Sequence, residues 1–198
     1  EVKAGERVAI LGATGSGKST MFQLIPRLYE VDEGDIFIDD VNVKEMKLER
    51  LRRSIGFVPQ EAMLFSGTVK ENILWGKEDA TMEEVVEAAK HAQLHDTIQS
   101  LPKKYETILG QRGVNLSGGQ KQRLSIARAL VRKPKILLFD DSTSALDVHT
   151  EKELLKALED YSSTTLMITQ KLSTTMTADK ILLLEDGELL AEGRHHEL

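Results

Sequence analysis

The sequence contains no cysteine, no long apolar run and no excess of positive charge, and each of these absences excludes a class of protein. Without cysteine among its 198 residues, the chain can form neither disulfides nor thiolate metal sites, which fits a reducing compartment. Its best apolar runs, ILLF and ILLL, are far shorter than the roughly 18 residues that a membrane-spanning helix needs. The net charge of −6 is typical of an acidic globular protein and argues against a nucleic-acid partner.

The organisation of the chain is predicted from its length and from the distribution of strand-like runs. A chain of 198 residues favours a single domain. Strand-like runs occupy both ends, so we expect one domain over 1–198, with a core of 1–60 and 134–198 and an inserted helical subdomain at about 61–133. The sequence opens at Glu1 directly on EVKAGERVAILG, without a leader, which suggests a piece of a longer protein.

Short apolar runs alternate with helical patterns on both sides of the middle third. VAILG, IGFV, KILLFD, TTLMITQ and KILLLEDG have the length of buried strands, and KLERLRR and TEKELLKALEDY are helical in pattern. GDIFIDDVNV alternates like a half-exposed hairpin, Pro26 is expected to kink or end the first helix, and Thr81 and Glu84 have capping-box spacing. This order predicts an α/β fold with a mainly parallel sheet, whose ligands bind at the carboxyl ends of the strands.

The stretch GATGSGKS follows the first predicted strand and opens a helix, as the phosphate-binding pattern G-x-x-x-x-G-K-[ST] requires. Its glycines let backbone N–H groups surround phosphate oxygens, while Lys18 reaches the terminal phosphates and the Ser19 hydroxyl binds magnesium. An ordinary glycine turn is the alternative. The predicted phosphate-binding residues are Gly12, Thr14, Gly15, Ser16, Gly17, Lys18, Ser19 and Thr20.

An acidic motif and a second glycine-rich motif belong to the same predicted nucleotide site. ILLFD is an apolar strand that ends in Asp140, which we expect to hold the same magnesium ion. In LSGGQKQRLSIARAL, Ser117 and two glycines cap a helix. A cap that served only the helix would not need two glycines, each of which costs roughly 1 kcal/mol inside a helix. We therefore interpret the exposed N–H groups of this segment as a second anion site, which acts on another molecule's nucleotide. Its residues are Ser117, Gly118, Gly119 and Gln120.

Taken in order, GATGSGKST, VPQ, LSGGQ, ILLFD and SALD resemble the nucleotide-binding domain of an ATP-binding cassette (ABC) transporter over essentially the whole chain. The resemblance implies a P-loop NTPase fold with a mainly parallel sheet flanked by helices, an inserted α-helical subdomain and a small antiparallel β part. It also implies ATP and Mg²⁺ as cofactors, with Ser19, Gln60 and Asp140 at the metal.

In that family two such domains pack head to tail, and ATP lies between the phosphate loop of one and the SGGQ of the other. The resemblance therefore implies a second nucleotide-binding domain as a partner, with Asp147 in a turn that crosses the interface. VPQEAMLFSGTVKENILWG resembles exporters, with Phe65 to Thr68 near the surface that meets the transmembrane domain of the transporter. The implied location is the cytoplasmic face of the cell membrane, and no nucleic-acid partner is expected.

Two catalytic positions depart from the family pattern. The family has a glutamate where this chain has Asp141, and a histidine where it has Gln170. Aspartate is shorter by one methylene, roughly 1.5 Å of reach, and glutamine cannot become cationic. The pair resembles the degenerate half of a heterodimeric exporter, which binds ATP but hydrolyses it poorly while its LSGGQ completes the partner's site. Tuning of a competent homodimer is the alternative.

Other ATPase classes fit less well. A small-molecule kinase has no use for LSGGQ, and DNA-repair or chromosome ATPases carry a long coiled coil or zinc-binding cysteines. Here only 55 residues without heptads separate Gln60 from Leu116. A translation-associated cassette ATPase and a pure ATP-dependent clamp stay open as alternatives.

Overall fold

The computed structural model describes residues 1–110, 113–161 and 163–198. The strands are β1 Arg7–Gly12, β2 Phe37–Ile38, β3 Val41–Asn42, β4 Ile55–Val58, β5 Gly67–Thr68, β6 Ile108–Leu109, β7 Ile136–Asp140, β8 Thr164–Ile168, β9 Lys180–Glu185 and β10 Glu188–Gly193. The α-helices are α1 Lys18–Leu24, α2 Leu48–Ser54, α3 Val69–Leu74, α4 Met82–His91, α5 His95–Gln99, α6 Gly118–Leu130, α7 Val148–Glu159 and α8 Leu172–Met176. The α/β fold predicted from the sequence is confirmed.

A six-stranded sheet in the order β10-β9-β1-β8-β7-β4 forms the centre of the fold. β9, β1, β8 and β7 are parallel, and β10 pairs antiparallel with β9 at one edge. The central strands read as continuous apolar runs because both faces are covered: Val8, Ala9 and Ile10 of β1 are all buried. The mainly parallel sheet is therefore confirmed, whereas β10 was not predicted.

The predicted hairpin is present as β2 and β3, which pair antiparallel. The two residues between them, Asp39 and Asp40, both have positive φ, at 49° and 63°. Such a pair is typical of the two-residue turn whose twist matches that of the flanking strands, and aspartate tolerates this backbone region better than most residues.

Helix boundaries follow the capping signals in the sequence. α1 ends at Leu24, just before Pro26, and the capping box of Thr81 and Glu84 opens α4. α7 begins at Val148, two residues earlier than predicted, because Asp147 caps it by accepting a hydrogen bond from the Thr150 amide. No helix in the described parts of the chain is long and apolar enough to cross a membrane.

The contacts within the chain divide it into two compact units. The sheet unit comprises residues 1–57, 134–141 and 164–198, and its core includes Val8, Ile10, Phe22, Leu51 and Leu138. The helical unit comprises residues 58–133 and 142–163. It contains α3 to α7 together with the small antiparallel pair of β5 and β6. The expectation that the middle third has no strands is wrong at this pair, because two-residue strands are too short to show a periodic pattern.

Candidate functional site

The loop between β1 and α1 depends on glycine for two separate reasons. Gly17, which caps α1, has a φ of 90°, a conformation that L side chains rarely adopt. Gly12 lies so close to its neighbours that an added Cβ would clash with the Leu184 carbonyl and lie 2.7 Å from Ser16 Oγ. The backbone of this loop therefore requires glycine at both positions, at Gly12 for close packing and at Gly17 for its positive φ.

Lys18 folds back over this loop. Its side chain is buried, and its ammonium donates to the Gly12 carbonyl, to the Ala13 carbonyl at 3.0 Å and to Ser16 Oγ at 3.4 Å. These acceptors are neutral oxygens, and phosphate oxygens carry charge. Because hydrogen bonds between charged groups are stronger, a triphosphate can compete for this ammonium.

Ser19 and Asp140 meet at the carboxyl end of β7. Ser19 Oγ donates a hydrogen bond to Asp140 Oδ1 at 3.1 Å. A hydroxyl and one carboxylate are hard oxygen ligands, and Mg²⁺ is commonly held by one or two carboxylates together with phosphate oxygens and water. No group of three His, Cys, Asp or Glu residues that could hold a metal by themselves occurs in the described residues. The donor set fits Mg²⁺ bound jointly with a phosphate.

The turn between β9 and β10 is hydrogen-bonded to the same loop. Ser16 is buried, and its carbonyl accepts a hydrogen bond from the Gly187 amide at 3.1 Å. Asp186 and Gly187 have φ of 48° and 80°, as in a tight hairpin turn. This contact was not predicted, although the Asp-Gly pair between two apolar runs is a signal for the turn.

We expect Gly12→Ala to destabilise the sheet unit by about 1–3 kcal/mol, as overpacking typically does, because the new methyl group would meet the backbone of β9. Urea unfolding of the chain measures this loss. Gly15→Ala is the matched control, since a methyl group there has nothing within 4 Å and adds only the strain of a φ of 83°. An unfolding midpoint for Gly12→Ala equal to that of the unaltered chain would contradict the close approach.

Asp141 and Gln170 follow neighbouring parallel strands. Asp141 is the first residue after β7, and its amide donates to the Ile168 carbonyl of β8 at 2.9 Å. Gln170 is exposed two residues after β8. Since carboxyl ends of parallel strands share one edge of the sheet, both residues lie at the edge that carries Asp140.

Asp141 is in an environment that favours its neutral form. Partial burial and the adjacent Asp140 raise the pKa of its carboxyl, while Lys171 and Lys18 act in the opposite direction. The folded chain thus holds this proton more tightly than the unfolded chain does. Ionising Asp141 lowers stability as the pH rises from the unfolded-state pKa through the raised folded-state pKa. Its φ of 50° lies in the left-handed region, which aspartate tolerates better than most residues.

Ser117 begins α6 through a complete capping box. Its hydroxyl accepts from the Gln120 amide at 3.2 Å, and its own amide donates to Gln120 Oε1 at 2.9 Å. Ser117 and Gly118 are exposed, and we name residues 116–120 the Ser117 tip. An added Cβ on Gly119 would lie 3.0 Å from the Ala145 carbonyl. Gly119 therefore also permits close packing, a reason that the sequence analysis did not consider.

Gln60 and Asp147 also lie in the helical unit. Gln60 is exposed two residues after β4. Asp147 is exposed, and hydrogen bonds from the amide and hydroxyl of Thr150, each at 2.8 Å, lower the pKa of its carboxyl. The resemblance implies that Asp147 belongs to a turn that crosses the interface between two domains, and the structure adds its role as the cap of α7.

An aromatic pair occupies the segment after Gln60. Phe65 stacks on Trp75 with ring centroids 4.6 Å apart, and Trp75 is 63% exposed. Arg128 of α6 lies over the Phe65 ring at 4.7 Å and donates to the carbonyls of Met63 and Asn72. Burial lowers the pKa of Arg128 to about 10. The predicted surface at Phe65 to Thr68 is thus joined to α6 by an arginine that the sequence analysis did not single out.

Comparison with known proteins assigns the family. A protein-family model described as "ABC transporter" matches residues 1–144. The chain is 66% identical over 196 residues to the ABC transporter ATP-binding protein YfiB of Bacillus subtilis, and 52% identical over 199 residues to a Staphylococcus aureus protein named as a multidrug export ATP-binding/permease protein. These matches cover 99% and 100% of the chain but 34% of each relative, so the chain spans about a third of their length.

Among solved structures, a bacterial Atm1-family ABC exporter with ATP bound superposes with a TM-score of 0.94 at 44% identity. The superposition covers 99% of this chain and 35% of that exporter. The fold, the order of motifs and the family match over 144 of 198 residues agree. The chain belongs to the ABC transporter family.

Proposed function

We propose that this chain is the ATP-binding domain of an exporter, in which ATP-driven pairing of two cassettes powers transport. Its own phosphate site holds Mg-ATP but hydrolyses it slowly, and its Ser117 tip completes the site of a second, different cassette. The chain works at the cytoplasmic face of the cell membrane as a single nucleotide-binding domain joined to a transmembrane domain.

The observation that carries nucleotide binding is the hydrogen bond between Ser19 and Asp140 beside the buried Lys18. A lysine for phosphate oxygens and two hard oxygens for Mg²⁺ converge on one loop, which is the arrangement that a magnesium triphosphate needs. Magnesium, when bound, neutralises the charge that develops on the phosphates. Lys18 and the loop amides orient the triphosphate.

Export is supported by the relatives and by one surface. The Staphylococcus aureus relative is named for multidrug export, and the Atm1-family neighbour is an exporter. Both are about three times as long as this chain, and the first is named as a permease too. Met63 and Trp75 are each more than 60% exposed beside Phe65, and exposed apolar patches of this kind mark contact surfaces. We assign this patch to the transmembrane domain.

Pairing with a second cassette is supported by the Ser117 tip. The capping box fixes its backbone, and the Ser117 hydroxyl, which accepts one bond, keeps its proton free to donate. Ser117 and Gly118 are exposed, so the tip can meet a phosphate of another chain.

Slow hydrolysis at the chain's own site is supported by Asp141 and Gln170. The acid that follows Asp140 is an aspartate, whose side chain is one methylene shorter than that of glutamate. Its carboxylate therefore holds an attacking water molecule less closely than a glutamate carboxylate would. A misplacement of about 1 Å costs on the order of a hundredfold in rate. The competent homodimer is the second candidate, because Asp141 still places a carboxylate directly after Asp140.

Calorimetric titration of the chain with Mg-ATP tests the proposal. We expect binding, weakened by chelation of magnesium, and an affinity lowered on the order of 10- to 100-fold by Lys18→Met, because a charged hydrogen bond is lost. Lys3→Met, at an exposed lysine of the same unit, is the matched control. Absence of binding, or equal binding by both variants, would overturn the nucleotide site. Fast turnover by the isolated chain would favour the homodimer instead.

A further inference from the structure

Gln122 is a buried polar residue of α6 that touches the turn ahead of α7. It is only 6% exposed. Its Nε2 donates to Ser144 Oγ at 2.9 Å, and its Oε1 accepts from the Ala145 amide at 2.9 Å. Both ends of the amide are therefore committed to one short segment, residues 142–147, which we name the Asp147 turn.

The contact is reinforced by the packing around it. An added Cβ on Gly119 would lie 3.0 Å from the Ala145 carbonyl and 3.5 Å from a Leu146 methyl carbon. Leu146 is itself buried, and its amide donates a hydrogen bond within the turn to the Thr143 carbonyl at 3.0 Å. The first turn of α6 and the Asp147 turn are thus in direct contact, and Gln122 provides the two directional bonds that fix their register.

We propose that Gln122 is a positioning residue, which holds the Asp147 turn against the Ser117 tip so that both meet the partner cassette as one rigid surface. This inference rests on the proposed pairing of two cassettes. Gln122 touches no nucleotide; it acts through Ala145 and Ser144. A buried amide with both ends bonded restricts a segment to one arrangement, because any displacement of the turn leaves a buried polar atom without a partner.

The first part of the test needs neither nucleotide nor partner. In the isolated chain, Gln122→Met keeps the length of the side chain and removes both bonds. We expect the Ala145 amide to exchange with solvent deuterium roughly five- to tenfold faster, as for the loss of one neutral hydrogen bond. Ser125→Ala removes a different buried polar group, a hydroxyl, from α6 and is the control. Unchanged exchange at Ala145 in Gln122→Met would overturn the proposal.

The second part measures ATP hydrolysis by the assembled pair of cassettes. We expect Gln122→Met to lower kcat about tenfold, as for a sub-ångström to 1 Å displacement of the partner-facing groups, with little change in KM and in Mg-ATP affinity of the chain's own site. Gln122→Glu retains an acceptor for the Ala145 amide, and we expect it to recover part of the rate. Ser125→Ala is expected to leave the rate unchanged.

The outcomes separate this proposal from the function on which it rests. If Ser117→Arg abolishes hydrolysis but Gln122→Met does not change it, the pairing stands and the positioning role is overturned. If neither variant changes hydrolysis, the proposed pairing itself fails. A fall in kcat caused by Gln122→Met together with faster Ala145 exchange supports both.

Discussion

The double variant Asp141→Glu with Gln170→His is expected to raise hydrolysis at the chain's own site on the order of a hundredfold, the factor associated with about 1 Å of misplacement. Glutamate extends the carboxylate by one methylene toward the attacking water. Histidine supplies a group that can donate as a cation near the terminal phosphate. Both positions follow neighbouring parallel strands, β7 and β8, so neither change disturbs the core.

Steady-state hydrolysis by the assembled pair measures this gain, provided that the two sites are separated. Ser117→Arg in the same chain removes the contribution of the partner's site, so turnover in that background reports the chain's own site. Asp141→Asn with Gln170→His is the matched control, because it retains the histidine without a basic carboxylate. If the double variant is no faster than this control, Asp141 does not limit the reaction.

We expect Ser117→Arg alone to lower hydrolysis at the partner's site by about 100- to 1,000-fold, the cost of removing one donor that stabilises transition-state charge. The arginine side chain would occupy the exposed end of α6, where the partner's phosphate is expected to lie. Loss of the cap adds about 1 kcal/mol of instability, because Ser117 Oγ accepts from the Gln120 amide.

Ser117→Thr is the control for this second variant, because threonine keeps the capping hydroxyl. Thermal unfolding of both variants separates a folding defect from a catalytic one. Full turnover by a folded Ser117→Arg chain would show that the Ser117 tip does not serve the productive site. The proposed division of labour between two cassettes would then be abandoned.

Much of the fold could be predicted because its strands are unusually uniform. β1 and β7 are buried on both faces, so their sequences are unbroken apolar runs that no amphipathic helix would show. The position of Asp140 followed directly, since β7 must end where polarity returns. The resemblance to the ABC family pointed to Asp141 and Gln170, and the parallel pairing of β7 and β8 places them at one end of the sheet. β10 was not predicted, because the adjacent residues Leu189 and Leu190 are both apolar and exposed, so apolar and polar residues do not alternate along it.

The residues that sequence patterns could not find act through contacts with distant segments. Gln122 and Arg128 lie in α6 among other polar residues, and nothing in their spacing distinguishes a buried amide or guanidinium from a solvated one. Arg128 finds its acceptors at Met63 and Asn72, more than fifty residues away. Only the packed structure shows that these two side chains join α6 to the Asp147 turn and to the Phe65 segment.

The position of β1 in the sheet has a consequence for synthesis of the chain. β1 is translated before the other strands of this sheet, yet its two neighbours are β8 and β9, which start at Thr164 and Lys180. The loop between β1 and α1 also depends on the turn between β9 and β10, because the Ser16 carbonyl accepts a hydrogen bond from the Gly187 amide. On the ribosome, β1 therefore cannot pair with these neighbours until the chain has been made through Glu185. Pairing over such sequence distances is slow, and this strand is the segment that a chaperone would protect in the meantime.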